Sequence, residues 1–418
     1  MERSGFLSDI LSRVAVRPVQ ALRGSPTPLP DLCANLVGEL GEAAALSTAL
    51  EILDRYDVLD GDGRMAFFQS LAQDLGHDDA VLQAAIADWT PGDEEAARRL
   101  HFAAEPRSQE LIRRLNQVPG ATARLVGMRA DLLRCMRDAT ALAPLDMDFR
   151  HLFSSWFNRG FLEIRHIDWS TPAEVLEKII AYEAVHEISG WDDLRRRVAE
   201  PDRRLFGFFH PAMPSEPLIF VEVALTRDIP GAITDILSAD REAMDPGQAK
   251  TAVFYSISNC QKGLRGISFG SFLIKQVVSE LQLELPNLRT FVTLSPIPGL
   301  RRWAEGEDSG LDAAEREALT SSEGPWGEQA RKLAARFLTT ARRAGGTVAD
   351  PVAHFHLGNG AQLYGLHAGA DPSERGMANS WGVMANYLYD EARIEARHQA
   401  YAAGGTIDVS STVRGLAR

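Results

Sequence analysis

From about Pro30 to Leu142 the apolar residues recur at spacings of three and four, the period of helices with one buried face. LCANLVGELGEAAALSTALEILDRY, RMAFFQSLAQDL, AVLQAAIADW, SQELIRRLNQV and ARLVGMRADLLRCMRDAT each carry it. Turn or capping residues separate these runs at Asp60-Gly61-Asp62-Gly63, Pro91-Gly92-Asp93 and Pro119-Gly120. The pattern predicts an all-helical domain of six to eight helices. After Asp146 the texture changes to short β-branched and aromatic runs, among them RRLFGFFHPAM, PLIFVEVALT, TAVFYSIS and LRTFVTLS. Helical stretches such as TPAEVLEKIIAYEAV and GWDDLRRRVAE lie between them. Strands alternating with helices predict a mixed α/β domain, so the fold class is α+β multidomain, with residues 1–147 helical and residues 148–418 mixed. Arg301 to Gly346, rich in Glu, Ala and Arg, reads as one or two surface helices.

Within the second domain, Thr251 to Leu300 predicts a buried strand (Ala252 to Ser258), a glycine-punctuated loop (Gln261 to Gly270), a helix (Ser271 to about Leu283) and a second strand (Thr290 to Leu294) that breaks at Ser295-Pro296. A strand leading through a glycine-rich loop into a helix N-terminus presents backbone N–H groups to a phosphate. Gly263, Gly266 and Gly270 would let the backbone approach such a ligand, and tight helix–strand packing explains the same glycines equally well. The spacing is wrong for a dinucleotide fingerprint, and no P-loop lysine is present.

Composition narrows the classes. Apolar residues make up 45% and charged residues 24% of the 418, which places the chain among globular proteins. A net charge of −13 argues against a nucleic-acid partner, which needs a broad basic face. No apolar run approaches the roughly 20 residues of a membrane span. Cys33, Cys135 and Cys260 are scattered and odd in number, so a reducing compartment is expected, with neither a disulfide scaffold nor a zinc motif. Arg3, Arg13, Arg17 and Arg23 give the start a weak transit-peptide character that Glu2 and Asp9 spoil, and the closing RGLAR is not a peroxisomal signal, so the expected setting is cytoplasmic.

Three candidate chemistries remain. Asp60-Gly61-Asp62-Gly63 lacks the ligands and turn glycine of a calcium loop and reads as a helix cap. Ser295 either ends its strand before proline or is a hydroxyl rigidly placed by the two prolines of LSPIPG. In an extended DPVAHFHLGNG segment His354 and His356 would share a face, but no carboxylate or cysteine joins them as a metal set. One catalytic histidine with a structural neighbour is the better functional reading.

Taken together, SWFNRGFLEIRHIDWSTPAEVLEKI, FYSIS-x-x-Q-x-GLRG-x-x-x-G-x-x-LIK-x-VV, TLSPIPG, DPVA-x-FHL-x-NGA and MANYLY resemble the blocks of the malonyl-CoA decarboxylase family, in its order. The resemblance implies a helical oligomerisation domain, a homo-oligomer (dimer or tetramer), and a catalytic domain of the GNAT fold. It implies a carboxy-lyase that converts malonyl-CoA to acetyl-CoA and CO2, with no metal or organic cofactor. Carried over by motif, Ser295 and His356 become the catalytic pair. Arg265, Gly266, Ile267, Ser268, Phe269, Gly270 and Ser271 would line the acyl-CoA site, with Tyr389 near the acyl end. Two departures stand out. Ser268 occupies a position where the family often has glutamate, and His367-Ala368 stands where it usually has Asn-Trp. The rival readings are a GNAT acyltransferase that acylates an amine, and a non-catalytic acyl-CoA-binding regulator.

Overall fold

The computed structural model describes residues 27–267, 272–312 and 327–417. Its contacts divide the chain into two compact units. Of the described residues, one holds 27–161 with 211–213 and 261–267, and the other holds the rest. Eight α-helices build the first among the described residues: α1 Leu29–Val37, α2 Glu42–Asp57, α3 Gly61–Asp74, α4 Asp79–Asp88, α5 Glu94–Ala103, α6 Arg107–Leu115, α7 Ala121–Cys135 and α8 Ala143–Trp156. The predicted breaks are caps: Asp60 accepts from Gly63 N and Asp93 from Glu95 N and Ala96 N. Each satisfies N–H groups that the first helical turn leaves free. Helix α8 runs across position 147 without interruption, and the unit extends to Phe161.

Residues 261–268 follow a strand in the chain but pack into the helical unit. The reason lies at Gly263, where an added Cβ would stand 1.8 Å from the Val126 carbonyl oxygen of α7. Arg129, buried on the same helix, donates to the Gly263 carbonyl (2.6 Å) and to Asp146 (2.8 Å). Close packing therefore explains Gly263 without a ligand.

The second unit is an eight-stranded mixed sheet ordered β1-β2-β3-β4-β5-β8-β6, with β7 paired to β8. The strands are β1 Glu163–Ile167, β2 Arg203–Phe209, β3 Ile219–Thr226, β4 Thr251–Asn259, β5 Thr290–Thr293, β6 Ser295–Pro296, β7 Gln362–His367 and β8 Met384–Tyr389. Continuing from α8, α9 Ala173–Tyr182 and α10 Trp191–Val198 pack with β2 and β3 around Ile179, Leu194, Leu205 and Phe220. All pairings are antiparallel except β4 with β5. That parallel pair is joined by α11 Phe272–Glu284, the crossover helix expected between parallel strands. The α+β class is the observed one, helices first and a mixed sheet after them. At Ser295-Pro296 the chain leaves β4 but keeps β8: β5 already faces that strand at Phe291/Tyr389 and Val292/Leu388, and the same register continues with Ser295 opposite Ala385 and Pro296 opposite Met384. Glu328–Thr340, expected on the surface, buries Leu333, Phe337 and Leu338 along one face.

Candidate active site

Strands β4 and β5 stay in register from Thr251/Thr290 to Phe254/Thr293, and Leu294 N donates to the Phe254 carbonyl in a last bond between them. Beyond that point their ladder stops. The gap is a cavity of 370 Å³ whose walls include Ser256 and Asn259 from β4, Ser295 and Pro296 from β6, and Phe355 and His356.

His356 arrives on a helix, Pro351–Gly358. The extended geometry expected for DPVAHFHLGNG is therefore wrong, and the two histidines do not share a face. His354 turns to the Tyr401 hydroxyl (2.8 Å), whereas His356 points into the core. Proline at the first helical position and Asp350 as N-cap are the local causes, a start signal legible in Asp-Pro itself. Asp350, buried, accepts Val352 N and Ala353 N through Oδ1 and Gly299 N through Oδ2. One carboxylate thus ties the serine loop to the histidine helix. Burial raises its pKa against the pull of those three N–H groups.

The structure brings Ser295, His356 and Tyr389 together. Ser295 Oγ lies 3.1 Å from His356 Nε2, and Tyr389 Oη lies 2.8 Å from His356 Nδ1. The Tyr387 ring stacks on the imidazole, 4.7 Å between centroids and 24° between planes. Ser295 Oγ also donates to Thr293 Oγ1 at 2.8 Å. These contacts set the proton positions. With its hydrogen spent on Thr293, Ser295 accepts from His356 Nε2–H, and the bare Nδ1 accepts the Tyr389 O–H. Burial holds the Tyr389 phenol protonated and pushes His356 down to about 3, so the imidazole is neutral near pH 7. The polar string therefore runs Tyr389 to His356 to Ser295 to Thr293 without a formal charge.

Arg265, Gly266 and Ile267 lie in the turn that packs with the helical unit. Gly266 has φ +80°, the left-handed backbone that favours glycine. Ser268, Phe269, Gly270 and Ser271 lie outside the described residues. The sequence reading passed over Thr293, Ser256 and Glu183. Thr293 stands two residues before Ser295. Glu183 accepts the hydroxyls of Ser256 and Ser258 and the N–H groups of Val185 and His186, holding the loop after α9 against β4. Alternate polar residues in TFVTLS and FYSIS were the available signals. Among the described residues no three His, Cys, Asp or Glu side chains converge as a metal set. No described helix is long and apolar enough to cross a membrane.

Residues 160–418 match the malonyl-CoA decarboxylase C-terminal domain and residues 75–157 match the N-terminal domain. The mitochondrial malonyl-CoA decarboxylase of Rattus norvegicus is 33% identical over 91% of this chain and 85% of its own length. That of Anser anser anser is 36% identical over 79% and 75%. Among solved structures, the malonyl-CoA decarboxylase of Rhodopseudomonas palustris superposes with a TM-score of 0.89 at 49% identity, covering 93% of this chain and all of that one. The Agrobacterium vitis enzyme gives 0.88 at 48%, covering 93% and 99%. On domain matches that span both units and on this level of identity, the chain belongs to the malonyl-CoA decarboxylase family.

Proposed function

We propose that the protein decarboxylates malonyl-CoA to acetyl-CoA and CO2 at the Ser295–His356 pair. The observation that carries this reading is the 3.1 Å contact between the two side chains at the wall of a cavity opened by the parting of β4 and β5. In the reaction the C–C bond to the carboxylate breaks, and its electron pair passes into the thioester carbonyl. An enolate and CO2 result, and the α-carbon then takes up one proton. The thioester is the electron sink, so the step calls for no metal or organic cofactor.

On substrate binding the Ser295 hydrogen turns from Thr293 to a malonyl oxygen, and His356 supplies the proton. Burial keeps His356 neutral in the cavity wall. The malonyl carboxylate brings a negative charge into the cavity and favours the protonated ring. When that charge leaves as CO2 the ring again prefers neutrality, and its proton passes to the α-carbon. Tyr389 fixes the ring through Nδ1. The coenzyme portion is assigned to the loop Arg265 to Ser271, as the family implies, with backbone N–H groups as phosphate donors.

The test is CO2 release from malonyl-CoA by Ser295→Ala and His356→Asn variants. Loss of a positioned proton donor lowers kcat on the order of 100- to 10,000-fold. Near wild-type turnover in both variants would discard the assignment. Transfer of label from acetyl-CoA to an amine would instead favour the acyltransferase.

The reading includes a homo-oligomer assembled through the helical unit. Helix α4 buries none of its residues, and Val81, Ile86 and Trp89 on or beside it and Phe102 on α5 stand exposed. Exposed apolar side chains on two helices packed against each other suit contact with a second copy. Light scattering on an Ile86→Lys, Phe102→Lys variant should register a smaller particle than wild type. A cytoplasmic setting goes with three cysteines that are free thiols, and cell fractionation tests it.

A further inference from the structure

The polar string does not stop at Ser295. Thr293, fully buried on β5, receives the Ser295 hydroxyl and the Tyr387 backbone N–H (3.2 Å) on its Oγ1. Its carbonyl oxygen receives Asn386 Nδ2–H at 2.7 Å. An amide nitrogen only donates, so Asn386 Oδ1 is left to accept, and it faces His367 Nε2 in a short hydrogen bond. His367 must then carry its hydrogen on Nε2.

Two glycines leave room for this pair. Gly365 stands opposite Asn386 in the β7/β8 register, and a Cβ there would lie 3.1 Å from Asn386 Oδ1 and 3.2 Å from His367 Nε2. A Cβ at Gly231 would lie 3.0 Å from His367 Nδ1. All three distances are tighter than ordinary van der Waals contact, so a side chain at either position would press on the pair. His367 lines a second cavity, of 720 Å³, with Arg331, Tyr364 and Ser410, and that cavity has no wall residue in common with the one at Ser295.

We infer that Thr293 is the positioning residue for Ser295, and that Asn386 and His367 brace it from the second cavity. The inference rests on the assignment of Ser295 and His356 as the reacting pair. Its physical content is direction. By accepting the Ser295 hydrogen, Thr293 turns a Ser295 lone pair toward His356 and selects the Nε2–H form of that ring. Without the Thr293 hydroxyl, Ser295 is free to donate to Nε2, and the ring reverses to the Nδ1–H form with Tyr389 as acceptor.

The experiment combines steady-state kinetics on malonyl-CoA with the ¹⁵N spectrum of His356 in the ligand-free protein, for Thr293→Val, Thr293→Ser, His367→Phe and His367→Gln. Wild type should show the Nε2–H tautomer. Thr293→Val should show the other form, with kcat lower on the order of 10- to 100-fold and KM within about threefold, as misplacement of a reacting group predicts. Thr293→Ser should restore both readouts. His367→Phe should lower kcat about threefold, and His367→Gln, which keeps a donor, should recover it. A folded Thr293→Val protein with the wild-type tautomer and kcat within about twofold overturns the inference, a change far below that of a displaced group. If that variant does not fold, His367→Phe decides, and an unchanged kcat and tautomer overturn it. A wild-type protein that releases no CO2 defeats the functional reading instead, while the nitrogen spectra still test the string.

Discussion

Two buried polar networks share the sheet, and they differ in charge. Around His356 every direct hydrogen-bond partner is neutral: Tyr389, Ser295 and, behind it, Thr293. Around Glu222 on β3 the partners are ions. Arg197 of α10 donates to Glu222 (3.1 Å) and pairs with Asp193 (3.2 Å), and it also holds the carbonyls of His186 and Glu187. The charged network fastens α10 and the preceding loop to the sheet. The neutral one fastens little but leaves one group, His356, whose charge depends on what enters the cavity. Burial acts on both titrating groups and disfavours the charged form of each. It lowers His356 to about 3 and raises Glu222 to about 8 against the attraction of Arg197. Only one carboxylate oxygen of Glu222 is met by Arg197, and Oε1 has no hydrogen bond.

The largest expected effect falls on the charged side. Arg197→Met strips the Asp193 carboxylate of its cation and orphans Glu222 Oε2 and the His186 and Glu187 carbonyls, and it should cost about 3 to 5 kcal/mol in unfolding free energy. The kcat of the folded fraction should stay near wild type. A large drop in kcat at unchanged stability would erase the distinction between the networks. On the neutral side the balance should invert. Tyr389→Phe strips the Nδ1 partner and should lower kcat on the order of 10-fold, the scale of a displaced reacting group. Its stability cost should be only about 1 to 2 kcal/mol, that of one orphaned buried acceptor.

The smallest effect, the pH dependence of stability, separates the two by sign. Between about 3 and 6.5 the unfolded chain protonates His356 and the native state does not, so this residue makes stability fall as pH drops through that window. Between 4.5 and about 8 the native state keeps Glu222 protonated while the unfolded chain releases the proton, so stability falls as pH rises. Each limb has a slope of up to about 1.4 kcal/mol per pH unit. Melting temperatures across pH should show Glu222→Gln flattening the decline between 6.5 and 8. His356→Asn should weaken the acid limb without removing it, because His186 is also lowered, to about 4, by burial. A Glu222→Gln protein that keeps the full alkaline decline would mean that Glu222 is ionised in the native state.

Much of this was legible before the structure, and the failures have local causes. Strand β4, crossover helix α11 and strand β5 each lie within a residue or two of their expected bounds, because a buried run between turn signals is a local pattern. His354 and His356 were misread because two residues apart suggests one strand face, while the Asp350-Pro351 helix start outweighs that spacing. Glu222 is a single acid inside the apolar run LIFVEVAL. Its meaning required Arg197, 25 residues earlier.

The amino-acid sequence by itself determined the helical-then-mixed order of units, the capped helices, the βαβ core of the sheet and the blocks that mark the family. These depend on periodicity, caps and short motifs, which act over a few residues. Tertiary structure alone decided that β4 and β5 part after Phe254, that Ser295 stays paired to β8 beyond that point, and that His356 meets it from 61 positions downstream. It also decided which hydroxyl gives its hydrogen to which neighbour, and that Gly263 serves a helix contact. Such outcomes depend on burial and on partners distant in sequence, and no local pattern encodes either.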